Sequence, residues 1–270
     1  MIGSSVFLEG LQGGGAVTNV GAMFLPSQAR RILALAVMVM LAGSALTAEP
    51  GRYEACLTLV KRDAEAGLAI ARDWLAEAPT ATPARHCLAV AMIDAGEIAE
   101  GVAQLARLAT DDTLPAPVRG DLHGQAGNGW LIAGRPDLAI AAFDSALLVH
   151  RGDIELLIDR ARAHAGVGDY WSAVADLDAA LDRAPGRDDA LAFRAAAYRR
   201  LEVWELATAD AARALAINPA NVDALVERAI LRLYADDTAA ARADFSQVLL
   251  LAPDNAAAVL ARRFLAELAR

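Results

Sequence analysis

The sequence predicts an all-α fold, a stack of helical hairpins, and three observations predict it. The first is composition: of 270 residues 65 are alanine, the strongest helix former, and only 5% are aromatic. Strands favour β-branched and aromatic side chains, so this balance disfavours a sandwich or barrel. The second is an internal stride of 34 residues, on which Pro185, Pro219 and Pro253 fall, as do Arg160, Arg194 and Arg228, Asp176, Asp210 and Asp244, and Ala139, Ala173, Ala207 and Ala241. The third is the pattern inside one stride. From 154 to 187 apolar residues recur at helical spacing on both sides of Gly168-Asp169, and Pro185 stops the second segment.

Residues 1 to 48 read as a leader. Arg30 and Arg31 precede an uncharged apolar run over residues 32 to 46, which closes in small residues. That run is shorter than the roughly 20 residues a membrane-spanning helix needs. A positive flank, a short apolar centre and a small-residue exit form a signal-peptide pattern, with cleavage expected after Ala45 or Ala48 and a start at Met23. The expected compartment is a bacterial periplasm or the exterior, with no stable membrane span once the leader is cleaved.

The rest divides in order. Residues 49 to 81 carry Gly67 and Pro79 in frame, and residues 82 to 119 carry a turn glycine, Gly96, small residues at Ala89 and Gly101, and an insertion around Asp111 to Pro117. In residues 120 to 153, Gly127, Ala139, Phe143 and Ala146 hold the frame. Three further periods follow, at 154 to 187, 188 to 221 and 222 to 255. Small side chains occupy the slots where two helices must approach: Ala161, Ala173 and Ala180, then Ala195, Ala207 and Ala214, then Ala229, Ala241 and Val248. Residues 256 to 270 read as a capping helix with Val259, Leu260, Phe264 and Leu268 near one face, covering the core face that a last repeat leaves open.

These residues resemble the tetratricopeptide repeat, a 34-residue helix-turn-helix with small residues at its eighth, twentieth and twenty-seventh positions and proline at its thirty-second. The resemblance is close over four repeats and looser over the first two, and Arg151 stands where proline is expected. It implies a right-handed superhelical solenoid of about six repeats plus the cap. It also implies a concave groove lined by first helices, with Asn128, Leu131, Glu155, Ile158, Arg162, Ala192, Ala196, Arg199, Val226, Ile230 and Leu233 facing it.

Other residues bear on chemistry. Export would let Cys56 and Cys87 pair, stabilising the fold by roughly 3 kcal/mol; otherwise they are two buried thiols. The recurring arginines and aspartates, Arg160 with Asp176, Arg194 with Asp210 and Arg228 with Asp244, predict structural ion pairs. The carboxylate pairs Asp111-Asp112, Asp188-Asp189 and Asp236-Asp237 sit at junctions, where helix capping explains them. His86, His123, His150 and His164 fall in no ligand spacing, so no metal or cofactor is expected. No nucleophile elbow, phosphate loop or zinc-protease helix is present.

A net charge of -9, with Lys61 the one lysine, argues against nucleic acid as a partner. The expected function is therefore a non-catalytic scaffold or adaptor of the cell envelope. It would hold a peptide or partner helix in the groove, with Arg162 and Arg199 orienting a carboxylate. The alternative is a self-associating structural subunit, or an accessory subunit of an envelope enzyme or assembly complex.

Overall fold

The computed structural model describes residues 50 to 268; the leader, with its expected cleavage sites and start at Met23, lies outside them. Thirteen α-helices and no strand occur among the described residues. In chain order they are α1 (Pro50–Arg62), α2 (Ala64–Glu77), α3 (Thr82–Asp94), α4 (Ile98–Ala109), α5 (Ala116–Ile132), α6 (Pro136–Val149), α7 (Ile154–Gly166), α8 (Tyr170–Arg183), α9 (Asp188–Arg200), α10 (Trp204–Ile217), α11 (Val222–Tyr234), α12 (Thr238–Leu251) and α13 (Ala256–Glu267). No described helix is long and apolar enough to cross a membrane.

Hairpin turns share one backbone solution. At the end of each first helix from α3 to α11, one residue takes a positive φ: Gly96 at 90°, Gly134 at 69°, Gly168 at 82°, Glu202 at 61° and Asp236 at 60°. The next N–H then reaches back five residues, as in Asp169 to the His164 carbonyl at 2.9 Å and Val203 to the Tyr198 carbonyl at 2.9 Å. This Schellman closure satisfies carbonyls the helix would otherwise leave open. Second helices start on side-chain caps where the sequence supplies them: Asp169 accepts from the Ser172 N–H and Asp237 from the Ala240 N–H.

Packing divides the helices into two units. Residues 50 to 163 form one and residues from 164 onward the other. Within the first, each helix from α1 to α6 packs on the next, and α1 also packs on α3. Its core centres on Trp74, Val60 and Leu68 near the N-terminus, then on Val102, Leu105 and Leu108. Glycine allows the closest crossings. A Cβ on Gly127 would lie 2.6 Å from the Phe143 ring, and one on Gly67 would lie 2.6 Å from the Val60 backbone. Cys56 of α1 and Cys87 of α3, both buried, are joined by a disulfide.

In the second unit each helix from α8 to α13 packs on its successor, and the first helices α9, α11 and α13 also pack in series. Ala173, Ala180, Ala195, Ala207, Ala214, Ala229, Ala241 and Val248 are all buried, as is Ala161 in the first unit. A buried alanine removes little apolar area from water, so close helix approach and many dispersion contacts must supply the stability. The terminal helix α13 packs through Ala257, Ala258, Ala261 and Phe264, whose ring stacks on Phe245 at 4.9 Å. Val259, expected on that face, is 66% exposed. Three alanines and a phenylalanine at helical spacing form the contact face, and Val259 falls outside it.

Candidate functional site

The residues expected on an open groove are placed otherwise. Ile158, Val226, Ile230 and Leu233 retain only 2%, 3%, 6% and 7% of their exposure, which puts them in the core. The reason lies in the helix that carries three of them. α11 touches α9, α10, α12 and α13, so nearly every face is covered, and Leu225, Ala229 and Leu231 fill the remaining apolar positions. Ala192 is buried, Ala196 and Leu131 are half-buried, and Glu155 is exposed. Leu131 packs against the cluster of Ala139, Phe143 and Ala163.

Asn128 and Arg162 meet through a residue not singled out in the sequence, Asp159. Its carboxylate accepts from the Asn128 amide at 2.9 Å and the Arg162 guanidinium at 2.8 Å. Burial pushes the Asp159 carboxyl up, against the pull of Arg162 and Asn128. Arg199 donates through Nε and Nη2 to Glu227, at 2.6 and 3.2 Å. Burial opposes the charge on Arg199, but Glu227 outweighs it and holds the guanidinium more basic than usual. Both arginines expected to seize a partner's carboxylate thus already hold one from this chain. A signal was present: Asp159 and Glu227 stand two strides apart among apolar neighbours.

The arginine and aspartate series forms ion pairs with an added rung. Arg194 grips Asp210 through two bonds of 2.7 and 2.9 Å, and its third nitrogen takes Asp178 of the preceding second helix at 2.6 Å. One guanidinium therefore ties α8, α9 and α10. Arg228 grips Asp244 in the same way at 3.0 and 2.7 Å. Residue 212, one stride after Asp178, is alanine, and Asp244 takes Arg232 at 2.6 Å as its further partner. Arg160 bonds Asp144 at 2.7 Å, and Asp176 lies 4.0 Å from His164.

Exposed apolar side chains of the second unit include Ile217, Leu250, Leu251 and Val259 away from the hairpin turns, and Val167 and Trp171 at the hairpin-turn edge, where aromatic rings concentrate. Four of the eight tyrosines and tryptophans in the sequence gather there: Tyr170, Trp171, Trp204 and Tyr234. The Arg200 guanidinium stands 4.9 Å over the Tyr170 ring, and Trp204 meets Tyr234 at 4.7 Å between centroids. Trp171 is 61% exposed, an unusual place for so large a ring. The sequence hints at this edge only through position, since Tyr170 and Trp204 stand one stride apart at the starts of second helices. Elsewhere, a cleft between α4, α5 and α6 is lined by Arg119, His123, Leu148 and Val149. Among the described residues no group of three or more His, Cys, Asp or Glu is disposed to hold a metal ion.

Two-helix hairpins on a 34-residue stride, small residues at the crossings and a left-handed turn residue between helices define a helical-repeat protein of the tetratricopeptide type. No protein-family model matches the chain, and no curated protein does. Solved structures do match. The chain is similar to TTC0263, a thermophilic TPR protein in Thermus thermophilus, at 16% identity and TM-score 0.56, covering 70% of this chain and 100% of that one. It is similar to MamA 41-end from Desulfovibrio magneticus RS-1 at 18% identity and TM-score 0.53, covering 63% and 94%. It is similar to YrrB, a TPR protein with an unusual peptide-binding site, at 14% identity and TM-score 0.51, covering 72% and 97%. At these identities the likeness establishes the fold, a TPR-like helical repeat.

Proposed function

We propose that the chain is a non-catalytic protein-interaction scaffold of the cell envelope, exported by the signal peptide over residues 32 to 46, and that it binds its partner along the hairpin-turn edge of residues 164 to 268. The carrying observation is the exposed Trp171 beside Tyr170: among residues 164 to 268 it is the one aromatic side chain that is exposed, the others being half-buried or buried. Tryptophan and tyrosine are the residues that most often dominate binding energy at protein interfaces. A repeat protein whose buried ion pairs are occupied internally offers side-chain surfaces for docking. The peptide-binding site of YrrB, on the same fold, is consistent with that use. Export is supported by the leader pattern and by the Cys56–Cys87 disulfide, a bond that persists in oxidising compartments.

The test is photo-crosslinking in intact cells from residue 171, with the exposed residue 65 on α2 as the control. A discrete adduct from 171 and none from 65 is the expected result. Equal labelling from both positions, or none from 171, defeats the reading. Mass spectrometry of the native N-terminus tests export, and a chain retaining residues 32 to 46 counts against it.

A further inference from the structure

The chemistry of the same edge narrows its occupant, on the reading that the edge is an interaction surface. Its basic groups are engaged: Arg199 by Glu227 and Arg200 by the Tyr170 ring. Three of its carboxylates are not. Glu202, Glu205 and Asp236 are exposed, and no ion pair among the described residues takes them.

We propose that this edge binds an extended segment bearing arginine or lysine, whose cations lie against the Trp171 face and pair with Glu202, Glu205 and Asp236. An aromatic face attracts a cation through its quadrupole, and tryptophan does so most strongly. A purely apolar partner would strip water from free carboxylates and give nothing back. An acidic partner, or a second copy of a chain with net charge -9, would be repelled over the same surface. Spacing also follows. Glu202 and Asp236 close the hairpins begun by α9 and α11, which pack directly on each other. Packed helix axes lie about 8 to 10 Å apart, and an extended chain covers that in about three residues. In a polyproline-II conformation, with three residues per turn, cations at every third position share one face and match that spacing.

The probe is an extended Gly/Ser peptide with arginine at every third position and a fluorescent label at one end, whose anisotropy reports binding to the full chain. Counterparts carry glutamate or alanine at those positions. The arginine peptide is expected to bind and the glutamate peptide not to. Trp171→Ala and the triple variant Glu202→Gln/Glu205→Gln/Asp236→Asn should each weaken binding about tenfold or more, with melting curves confirming that both stay folded. Raising ionic strength from about 0.05 to about 0.3 M should weaken it comparably, because exposed charges are screened. Equal binding of the alanine peptide, or wild-type affinity in Trp171→Ala, overturns the proposal. If residue 171 still crosslinks a protein while the arginine peptide fails to bind, the cationic occupant falls and the scaffold stands.

Discussion

Glu202 holds φ at 61° at a helix end where Gly96, Gly134 and Gly168 serve three other hairpins. A side chain in the left-handed region costs roughly 1 to 2 kcal/mol, and glycine avoids most of it at the price of a freer unfolded chain. Glu202→Gly should therefore stabilise the protein by about 1 kcal/mol in chemical denaturation; a loss would show that the glutamate side chain supports the turn. His86 supplies a second residue-scale prediction. Its Nε2 faces the Gln125 carbonyl oxygen at 2.7 Å and must donate, so Nδ1 accepts from the Tyr53 hydroxyl at 2.8 Å and the ring is neutral. Burial lowers the His86 pKa, partly offset by Gln125, and burial pushes the Tyr53 hydroxyl up to about 12. Between the lowered folded value of His86 and the unfolded value near 6.5, the unfolded chain binds more protons, so stability falls as pH falls. The contribution is complete above about pH 6.5 and is lost below it through the depressed folded value. Melting curves from neutral to acidic pH should show this decline, with a shallower slope in His86→Gln than in the parent chain.

Helices acquire their spacing from the ion pairs as well as from alanine. Asp210 is nearly buried against Arg194, so Asp210→Ala leaves a desolvated guanidinium with Asp178 as its remaining partner and should cost about 3 kcal/mol. Replacing both members with apolar residues of similar volume should be close to neutral. Equilibrium denaturation of the single and double variants decides it; a single variant as stable as the parent would place the pair outside the stabilising network. Elements of this kind were legible because they recur: Pro185, Pro219 and Pro253 set the stride, and the Arg194–Asp210 and Arg228–Asp244 rungs follow from it. The added rung was not. Asp144 and Asp178 keep the stride but lie one hairpin earlier than the expected partners, and Ala212 ends their series after two members. The groove positions failed for a different reason. Helical periodicity shows which residues share a face, yet eight of the thirteen residues of α11 are buried, Glu227 among them, so the pattern alone could not tell an open face from one covered by α9 or α13. The aromatic edge leaves no mark on the periodicity because its members sit at helix ends, outside any helical stripe.

Contacts within each unit are local: helices touch their chain neighbours, and α1 with α3, α9 with α11 and α11 with α13 pack besides. Stability in such arrays is approximately a sum of repeat and nearest-neighbour terms, so a perturbation should stay near its source. The disulfide provides the means to test this, because both sulfurs belong to residues 50 to 163 and link α1 to α3 across a separation of 31 residues. Closing a loop of that size removes unfolded-state entropy worth about 3 to 4 kcal/mol in the chain-entropy model. In the double variant Cys56→Ala/Cys87→Ala, amide hydrogen exchange should accelerate most in α1 to α3, by up to the factor that energy implies. Exchange in α10 to α13 should stay at parent rates. The alanines also remove two buried sulfurs, so the disulfide chain opened by reductant after mild denaturation serves as the companion sample, and both should give the same pattern. Equal acceleration across all thirteen helices would mean that the chain opens as one cooperative body, and protection unchanged in α1 to α3 would mean that packing around Trp74 and Val60, rather than the covalent link, holds the first hairpin in place.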